Sequence, residues 1–381
     1  MNELPDFSHL KVALIHDWLT TMRGGEKVLE VFCELFPSAD LFTLLHNPGS
    51  VTGPIADRRI FTTFIDRLPL KAKRYRHYLP LFPTAIERFQ FQGYDLILSS
   101  SHCVAKGVLT PPGIPHIAYV HTPMRYVWDM YDQYFGRDRV GKLQRMIIPF
   151  FANYLRMWDV TSAARVDHFI ANSNYVAQRI QKFYRRDSAV IYPPVSVEHF
   201  PLSKKTEGYY LVLSALVPYK RIDLAVEAFT QSGKPLHIVG DGPEGEKLKA
   251  RAGENIRFFD WLSDADLSRQ LADCRALIFP GEEDFGIVPV EAQSCGKPVI
   301  AFGKGGALET VCGYDGNNEG QCSGIFFEEQ SPPSLAGAVE RFEEIRWDGE
   351  WIHRHAGQFS RERFRREMAD YIQAVIGRVD K

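Results

Sequence analysis

Short apolar runs rich in β-branched residues alternate with helix-length amphipathic segments along almost the whole chain. Continuous apolar runs are typical of parallel strands that are covered by helices on both faces. The strand–helix–strand repetition therefore predicts an α/β fold with doubly wound sheets. Eleven runs are predicted to be strands: residues 11–15, 94–98, 115–120, 167–171, 189–192, 209–213, 235–239, 255–259, 276–279, 298–301 and 324–327.

The chain has 381 residues, which is too long for one ordinary core and about right for two domains. A polar stretch at residues 196–208 divides the strands into two series. We expect one Rossmann-like domain at residues 1–200, a second at 201–358, and a final helix in 359–381 that packs back on the first domain. The apolar side of that helix is predicted to consist of Phe364, Met368, Tyr371, Ile372 and Val375.

Composition excludes several classes of protein. A net charge of −2 with 24% charged residues gives no electrostatic indication of nucleic-acid binding. No secretion signal is recognisable, and no apolar run reaches the roughly 18 residues that span a bilayer. The six cysteines are scattered without a Cys-x-x-Cys pair, so we expect buried thiols in a reducing cytosol.

An acidic loop follows the predicted strand at residues 276–279. Pro289 is placed to open a helix, so Glu283 lies in the loop and Glu291 in the first helical turn. In open α/β sheets, ligands bind beyond the carboxyl ends of the strands, where both glutamates are expected. Backbone amides at the start of the helix would attract an anion. These amides belong to Gly286, Ile287 and Val288. The loop thus combines carboxylates for hydroxyl groups with amides for phosphate, as a nucleotide sugar requires.

Two cations, Lys220 and Arg221, follow the predicted strand at residues 209–213. At the carboxyl end of a strand they could neutralise a departing diphosphate, which is often the largest single contribution to catalysis. We therefore predict transfer that needs no bound metal and no cofactor. The alternative for both residues is an ordinary solvated surface charge.

The spacing of Glu283 and Glu291 also carries a family resemblance. The stretch between them resembles the Glu-x7-Glu signature of retaining GT-B glycosyltransferases of family 4, and Gly305, Gly306 and Glu309 resemble that family's Gly-Gly-x-x-Glu turn. The resemblance extends over nearly the whole chain and is strongest to mannosyltransferases of bacterial O-antigen and exopolysaccharide synthesis. It implies a GT-B fold, in which two Rossmann-like domains face a cleft.

The resemblance also implies roles for individual residues. Glu291 would hold the ribose hydroxyls and Glu283 the hydroxyls of the donor sugar, while the backbone from Phe285 onward would contact phosphate and sugar. Trp261 falls near the position where the family holds the nucleobase, although plain core packing is an equal alternative. At position 215 the chain has alanine where the family usually has an arginine, so one of two phosphate cations is missing unless Arg221 replaces it.

In the first half, Gly24 and Gly25 follow the first strand and open a helix. Glycines permit close approach of backbone to a ligand, and the resemblance places this loop against the donor phosphates and the acceptor. His121 follows the strand at residues 115–120, where the family often has a functional histidine. We interpret His121 as a hydroxyl contact or an aid to the reacting group; a structural histidine is the alternative.

The segment of residues 67–82, here called the basic segment, mixes cations with apolar and aromatic residues. Its cations are Arg67, Lys71, Lys73, Arg74 and Arg76. This mixture is typical of docking on an anionic membrane surface. A solvated basic loop is an equal alternative, and RNA binding a more distant one because no nucleic-acid motif is present.

The sequence therefore predicts a retaining, metal-independent hexosyltransferase at the inner face of the cytoplasmic membrane. The expected donor is GDP-mannose in preference to a UDP-sugar, and the expected acceptor is a lipid-linked glycan of bacterial surface polysaccharide synthesis. Two alternatives remain open: a GT-B-fold epimerase of nucleotide sugars, and a non-catalytic partner subunit that binds nucleotide.

Overall fold

The computed structural model describes residues 4–131, 141–260 and 262–379. The chain packs as two compact units. The first unit consists of the residues up to Pro194 together with those from Glu362 onward, and the second unit is Val195–Arg361. Within the described ranges, no helix has both the length and the apolarity that crossing a membrane would require.

The first unit is built on a parallel sheet of seven strands in the order β3-β2-β1-β4-β5-β6-β7. The strands are β1 (Val12–His16), β2 (Asp40–Thr43), β3 (Ile60–Thr62), β4 (Leu96–Ser101), β5 (His116–Val120), β6 (His168–Ala171) and β7 (Ala189–Val190). Every residue of β1, β4 and β5 is buried, as expected for central parallel strands with helices on both faces.

Five α-helices of the described residues accompany this sheet before Pro194: α1 (Gly24–Leu35), α2 (Lys71–Arg74), α3 (Phe82–Ile86), α4 (Lys142–Ala163) and α5 (Asn174–Tyr184). Short 3-10 helices lie at Gly53–Ile55, Phe64–Arg67, Tyr75–Leu81 and Ala105–Gly107. The basic segment is thus a chain of short helices.

The second unit has a parallel sheet of six strands in the order β10-β9-β8-β11-β12-β13. The strands are β8 (Tyr210–Leu213), β9 (Leu236–Val239), β10 (Ile256–Phe259), β11 (Leu277–Phe279), β12 (Val299–Phe302) and β13 (Gly324–Phe327). The helices are α6 (Ile222–Ser232), α7 (Gly245–Lys249), α8 (Asp264–Asp273), α9 (Ile287–Ser294), α10 (Ala307–Thr310), α11 (Pro332–Glu344) and α12 (Gly349–Ala356). Further 3-10 helices lie at Val197–His199, Pro218–Lys220 and Gly357–Phe359.

The last helix, α13 (Arg361–Val379), belongs to the first unit. Phe364 is fully buried there, with its ring centroid 6.1 Å from that of Phe32 and 5.7 Å from that of Tyr119. Met368 and Ile372 are also fully buried in the same core cluster. The predicted apolar side of the helix is therefore the side that docks.

Both sheets reverse their strand order at one point, between β1 and β4 in the first unit and between β8 and β11 in the second. Crevices beyond the carboxyl ends of the strands at such points are the usual ligand sites of doubly wound sheets. The predicted fold class, two Rossmann-like α/β domains, is confirmed. Each of the eleven predicted runs overlaps a strand, whereas the sequence did not predict β2 and β3.

Candidate functional site

At the switch point of the second unit, a cation and a carboxylate from two different loops meet. Lys220 ends the 3-10 helix that follows β8, and Glu283 lies four residues after the end of β11. Lys220 Nζ and Glu283 Oε1 form an ion pair, and both side chains are partly buried. A Cβ atom on Gly281 would lie 3.0 Å from Lys220 Cα, so glycine permits this close approach of the loops. Two residues that were predicted to act on the same donor are thus in direct contact.

The Gly305–Gly306 turn supports the acidic loop through its backbone. The amide of Gly306 donates to the carbonyl of Glu283 at 2.8 Å. Gly305 has a φ of +68°, which side chains rarely adopt, and a Cβ atom on Gly306 would lie 2.3 Å from Phe285 Cα. These glycines are therefore required for packing under the loop, and they fix the position of Glu283.

Helix α9 starts directly after the acidic loop. Gly286 precedes it with a φ of +92°, so Ile287 and Val288 are its first two residues. Amides of a first helical turn have no intrahelical partner and attract anions. Phe285 is buried, with its ring centroid 5.6 Å from that of Phe359. Its side chain therefore belongs to the core, and only its backbone is placed to serve a ligand.

The structure corrects the predicted position of Glu291. It is the fifth residue of α9 and so begins the second turn, because the helix starts at Ile287, directly after the left-handed Gly286, and not at Pro289. Burial raises the pKa of Glu291 to about 7. A carboxyl group with this pKa changes its charge near neutral pH, which is typical of groups at functional sites.

Arg221, the predicted substitute for the missing cation at position 215, pairs with a carboxylate of the adjoining helix. Arg221 directly precedes α6 and has a φ of +53°. Its guanidinium forms two hydrogen bonds of 3.1 Å with the carboxylate of Asp223 in α6. Ala215 is exposed just after β8. Of the two predicted cations, Lys220 is therefore the one that the structure brings to Glu283.

A glycine turn after β9 also contributes to this edge, and the sequence did not single it out. A Cβ atom on Gly240 would lie 1.9 Å from the carbonyl oxygen of Ser214, and one on Gly242 would lie 2.4 Å from that of Leu216. The turn thus packs directly on the loop that leads to Lys220. The signal was present as two glycines flanking Asp241 at a strand end.

A cavity of about 850 Å³ in the second unit is lined by residues that precede strands, among them Thr206, Arg275 and Lys297. It therefore lies at the amino ends of β8, β11 and β12, opposite the edge with Glu283. None of its lining residues is a predicted site residue.

In the first unit, the switch point holds a cluster of polar side chains around His121. Ser100 Oγ lies 2.8 Å from His121 Nε2 and 3.1 Å from His16 Nδ1. Gly25 is the second residue of α1, and a Cβ atom there would lie 3.5 Å from His16 Cε1 and 3.6 Å from His121 Nε2. Gly24 begins the same helix. The structure therefore brings His121 and the predicted glycine loop together, and adds His16 and Ser100, which the sequence did not indicate.

Asp17 organises the backbone beside this cluster. Its buried carboxylate accepts hydrogen bonds of 2.6–2.9 Å from the amides of residues 102–105. Its Oδ2 also lies 3.2 Å from His102 Nδ1. One side chain at the end of β1 thus fixes the loop that follows β4. Its only signal in the sequence was an aspartate directly after an apolar strand.

Two histidines at this switch point, His121 and His102, are held neutral. Burial, with added repulsion from His102 and His16, keeps the pKa of His121 well below its usual value. Burial likewise lowers the pKa of His102. A neutral imidazole can donate or accept a hydrogen bond but does not bring positive charge, so the cluster favours the predicted hydroxyl contact. Among the described residues, no group of three or more His, Cys, Asp and Glu residues is arranged to hold a metal ion.

The basic segment retains four exposed cations: Arg67, Lys73, Arg74 and Arg76. Lys71 differs from them, because its ammonium group pairs with Asp66 and donates to the carbonyl of His46 at 3.0 Å. Lys71 therefore stabilises the segment and is not part of its outer charge. Trp261, predicted near the nucleobase, lies outside the described residues.

Two family models match the chain, one after the other. The model described as Glycosyltransferase Family 4 matches residues 30–199, and the one described as Glycosyl transferases group 1 matches residues 198–356. The chain is 26% identical over 356 residues to the O-antigen chain mannosyltransferase C of Escherichia coli, covering 86% of this chain and 84% of that protein.

The chain is also 28% identical over 284 residues to the alpha-1,3/1,6-mannosyltransferase ALG2 of Kluyveromyces lactis, covering 59% of this chain. The match spans 54%, or about half, of the fungal protein's length. Among solved structures, Anabaena Alr3699/HepE in complex with UDP superposes with a TM-score of 0.68 at 17% identity, covering 96% of this chain and all of that one. The chain therefore consists of a Glycosyltransferase Family 4 domain followed by a Glycosyl transferases group 1 domain, and it has the GT-B fold.

Proposed function

We propose that this glycosyltransferase moves mannose from GDP-mannose to a lipid-linked glycan, with retention of the anomeric configuration and without a bound metal. The contact between Lys220 and Glu283 is the observation that carries the proposal. It places a cation for the diphosphate beside a carboxylate for sugar hydroxyls, at the strand edge where ligands of this fold bind.

In the proposed mechanism, the donor separates this ion pair. Lys220 turns to the diphosphate and Glu283 accepts hydrogen bonds from the sugar, so that each charge exchanges its protein partner for a donor group. The amides of Ile287 and Val288 complete the anion site at the start of α9, and Glu291 accepts from the ribose hydroxyls. Lys220 then stabilises the charge that develops on the leaving diphosphate.

On the acceptor side, we propose that neutral His121 holds a hydroxyl group. Its lowered pKa makes it a poor proton acceptor at neutral pH. The acceptor proton would therefore pass to the departing phosphate oxygen on the same face of the sugar. Attack from the face that the diphosphate leaves retains the anomeric configuration.

The choice of mannose and of a polysaccharide acceptor is supported by the similarity to the E. coli O-antigen mannosyltransferase over most of both chains. The exposed cations of the basic segment support association with an anionic membrane, where a lipid-linked acceptor would be presented.

The proposal is tested by incubating the chain with GDP-mannose, GDP-glucose, UDP-glucose or UDP-galactose and a lipid-linked glycan extract, with and without EDTA. We expect transfer from GDP-mannose in EDTA, an α-linked product by NMR, and no transfer by the Glu283→Ala variant. A β-linked product would refute the mechanism. Conversion of the donor sugar without acceptor would indicate an epimerase, and binding without turnover a non-catalytic subunit.

Position 215 offers a second test. If the missing arginine limits the rate, the Ala215→Arg variant should transfer faster than the wild type, because a second cation would face the diphosphate. An unchanged rate would mean that Lys220 and the α9 amides already supply the required charge.

A further inference from the structure

One side of α4 presents an unusual apolar surface. Seven of its large apolar side chains are exposed: Met146, Ile147, Phe150, Phe151, Tyr154, Met157 and Val160. Phe150 is 78% exposed and Met157 is 57% exposed. In total, eleven large apolar side chains of the described residues are exposed. Of the four that lie outside α4, two belong to the basic segment, Leu70 and Leu81. Exposed apolar surface is thus concentrated in two elements of the first unit.

The charged residues within this stretch of α4, where the structure describes the side chains, do not interrupt the surface. Between Met146 and Val160 the sequence has two charges, Arg156 and Asp159. Arg156 Nε donates to the carbonyl of Val127 at 2.6 Å. Asp159 is fully buried and pairs with Lys106 Nζ at 2.9 Å. Both charges are therefore used inside the unit, whereas the outer face of an ordinary surface helix is polar.

The opposite side of α4 is already packed. Ala152, Leu155 and Trp158 are buried, and they share one core cluster with Tyr75 and Phe82 of the basic segment. Packing therefore fixes which side of α4 faces outward. It also holds α4 and the exposed cations of the basic segment on the same core.

We propose that the exposed side of α4 docks on an anionic lipid bilayer, with Phe150 and Met157 entering the boundary between headgroups and acyl chains. Amphipathic helices bind this boundary through apolar area together with attraction between cations and anionic lipids. Both are present here, since four exposed cations lie on the basic segment. A second copy of this chain fits less well, because a symmetric contact would bring two sets of like charges to one interface.

This docking surface specifies how the chain would associate with the membrane. It rests on the proposed function only for the benefit of docking, which is access to a lipid-linked acceptor. The binding itself does not depend on transfer. Vesicle binding and sugar transfer can therefore fail separately.

The test is co-sedimentation of the full chain with vesicles of phosphatidylcholine, alone or mixed with phosphatidylglycerol. We expect the Phe150→Glu/Met157→Glu variant to lose about tenfold or more in partition to the mixed vesicles, because two large side chains no longer enter the bilayer. Leu308→Glu is the matched control, since Leu308 is 55% exposed but lies in the second unit. This control should sediment like the wild type.

Two further measurements distinguish the contribution of the cations to vesicle binding from that of the apolar side chains that enter the bilayer. Each cation contributes about fivefold to partition on anionic lipid, so the Lys73→Gln/Arg74→Gln variant should bind mixed vesicles about 25-fold less and neutral ones unchanged. An environment-sensitive fluorophore at Phe150→Cys, in a Cys312→Ser background, should shift to the blue on mixed vesicles. Cys312 is replaced because it is the partly exposed one of the six free thiols.

The proposal is overturned if the Phe150→Glu/Met157→Glu variant binds vesicles like the wild type. A wild-type dimer in sedimentation velocity that this variant converts to a monomer, with vesicle binding unchanged, would assign the surface to a second copy instead. Transfer to a water-soluble glycan without vesicles is measured in parallel. A wild-type chain that binds vesicles through α4 but never transfers sugar would overturn the proposed function and leave the docking surface standing.

Discussion

The two switch points of the molecule are built in opposite ways. In the first unit, Asp17, His16 and Ser100 are fully buried, and their side chains make hydrogen bonds within the protein: Asp17 with the amides of residues 102–105, and His16 with Ser100. In the second unit, Lys220 and Glu283 lie on loops that glycines bring into backbone contact. Removing a partner from a buried network costs stability, whereas a charge pair on loops can exchange its partners for a ligand. We therefore expect removal of a buried polar side chain from the first site to affect folding, and removal of Lys220 or Glu283 from the second to affect the donor.

The largest effect is expected for Asp17→Ala. The substitution leaves the amides of residues 102–105 without their acceptor, and unsatisfied buried donors cost about 1–3 kcal/mol each. We expect a loss of about 3 kcal/mol or more in unfolding free energy, measured by calorimetry. Asp95→Ala is the matched control, because the Asp95 carboxylate accepts from one exposed amide, that of Lys11, at 2.8 Å. Equal melting temperatures for the two variants would break the comparison.

Lys220→Met should lower kcat/KM about a hundredfold, as is typical when a donor to developing negative charge is removed. Its melting temperature should change little, because the pair lies on partly exposed loops. Arg221→Met is the control, since Arg221 is bound to Asp223. Equal losses of activity in both variants would show that the two cations act together, contrary to the geometry.

Gly25→Ala sharpens the role of the first site. The added methyl group would lie 3.5–3.6 Å from His16 and His121, which is ordinary contact, so the chain should fold. Alanine even favours a helix by about 1 kcal/mol over glycine. The methyl group would nevertheless fill the space beside His121. We expect roughly a tenfold rise in the KM for the acceptor. The affinity for the donor and the melting temperature should be no lower than those of the wild type. Unchanged acceptor kinetics would remove Gly25 from the site.

The smallest expected effect concerns Glu291 and pH. Its pKa is raised to about 7 in the folded chain from an ordinary value of 4.5. The folded state therefore holds the proton more tightly, and this group's contribution to stability falls as pH rises from about 4.5 to 7. Ribose hydroxyls favour the ionised form, so GDP-mannose affinity should rise about fivefold between pH 6 and 7. The Glu291→Gln variant should lack this rise; an equal rise there would assign the titration to another group.

The same contrast explains what the sequence could predict. Glu283 and the Gly305–Gly306 turn each lie in a short stretch of sequence that follows a predicted strand. The predicted parallel strands therefore indicate that both lie at the same edge of the sheet. The contact of His16 with Ser100 joins residues 84 positions apart, and no local pattern indicates it. The missed strands are β2, which begins at the partly buried Asp40, and β3, which has no buried residue. The turn position of Glu291 was wrong because α9 starts at Ile287, directly after the left-handed Gly286, and not at Pro289.

The most direct test of the central claim is a calorimetric titration of bare nucleoside diphosphate into the wild type, Lys220→Met and Glu283→Gln. If Lys220 binds the diphosphate and Glu283 binds only the sugar, Lys220→Met should bind nucleoside diphosphate more weakly. Glu283→Gln should bind it at least as tightly as the wild type, because Lys220 no longer has a competing carboxylate, while transferring no sugar. An equal loss of nucleoside diphosphate binding in both variants would contradict the assignment of separate roles to this ion pair.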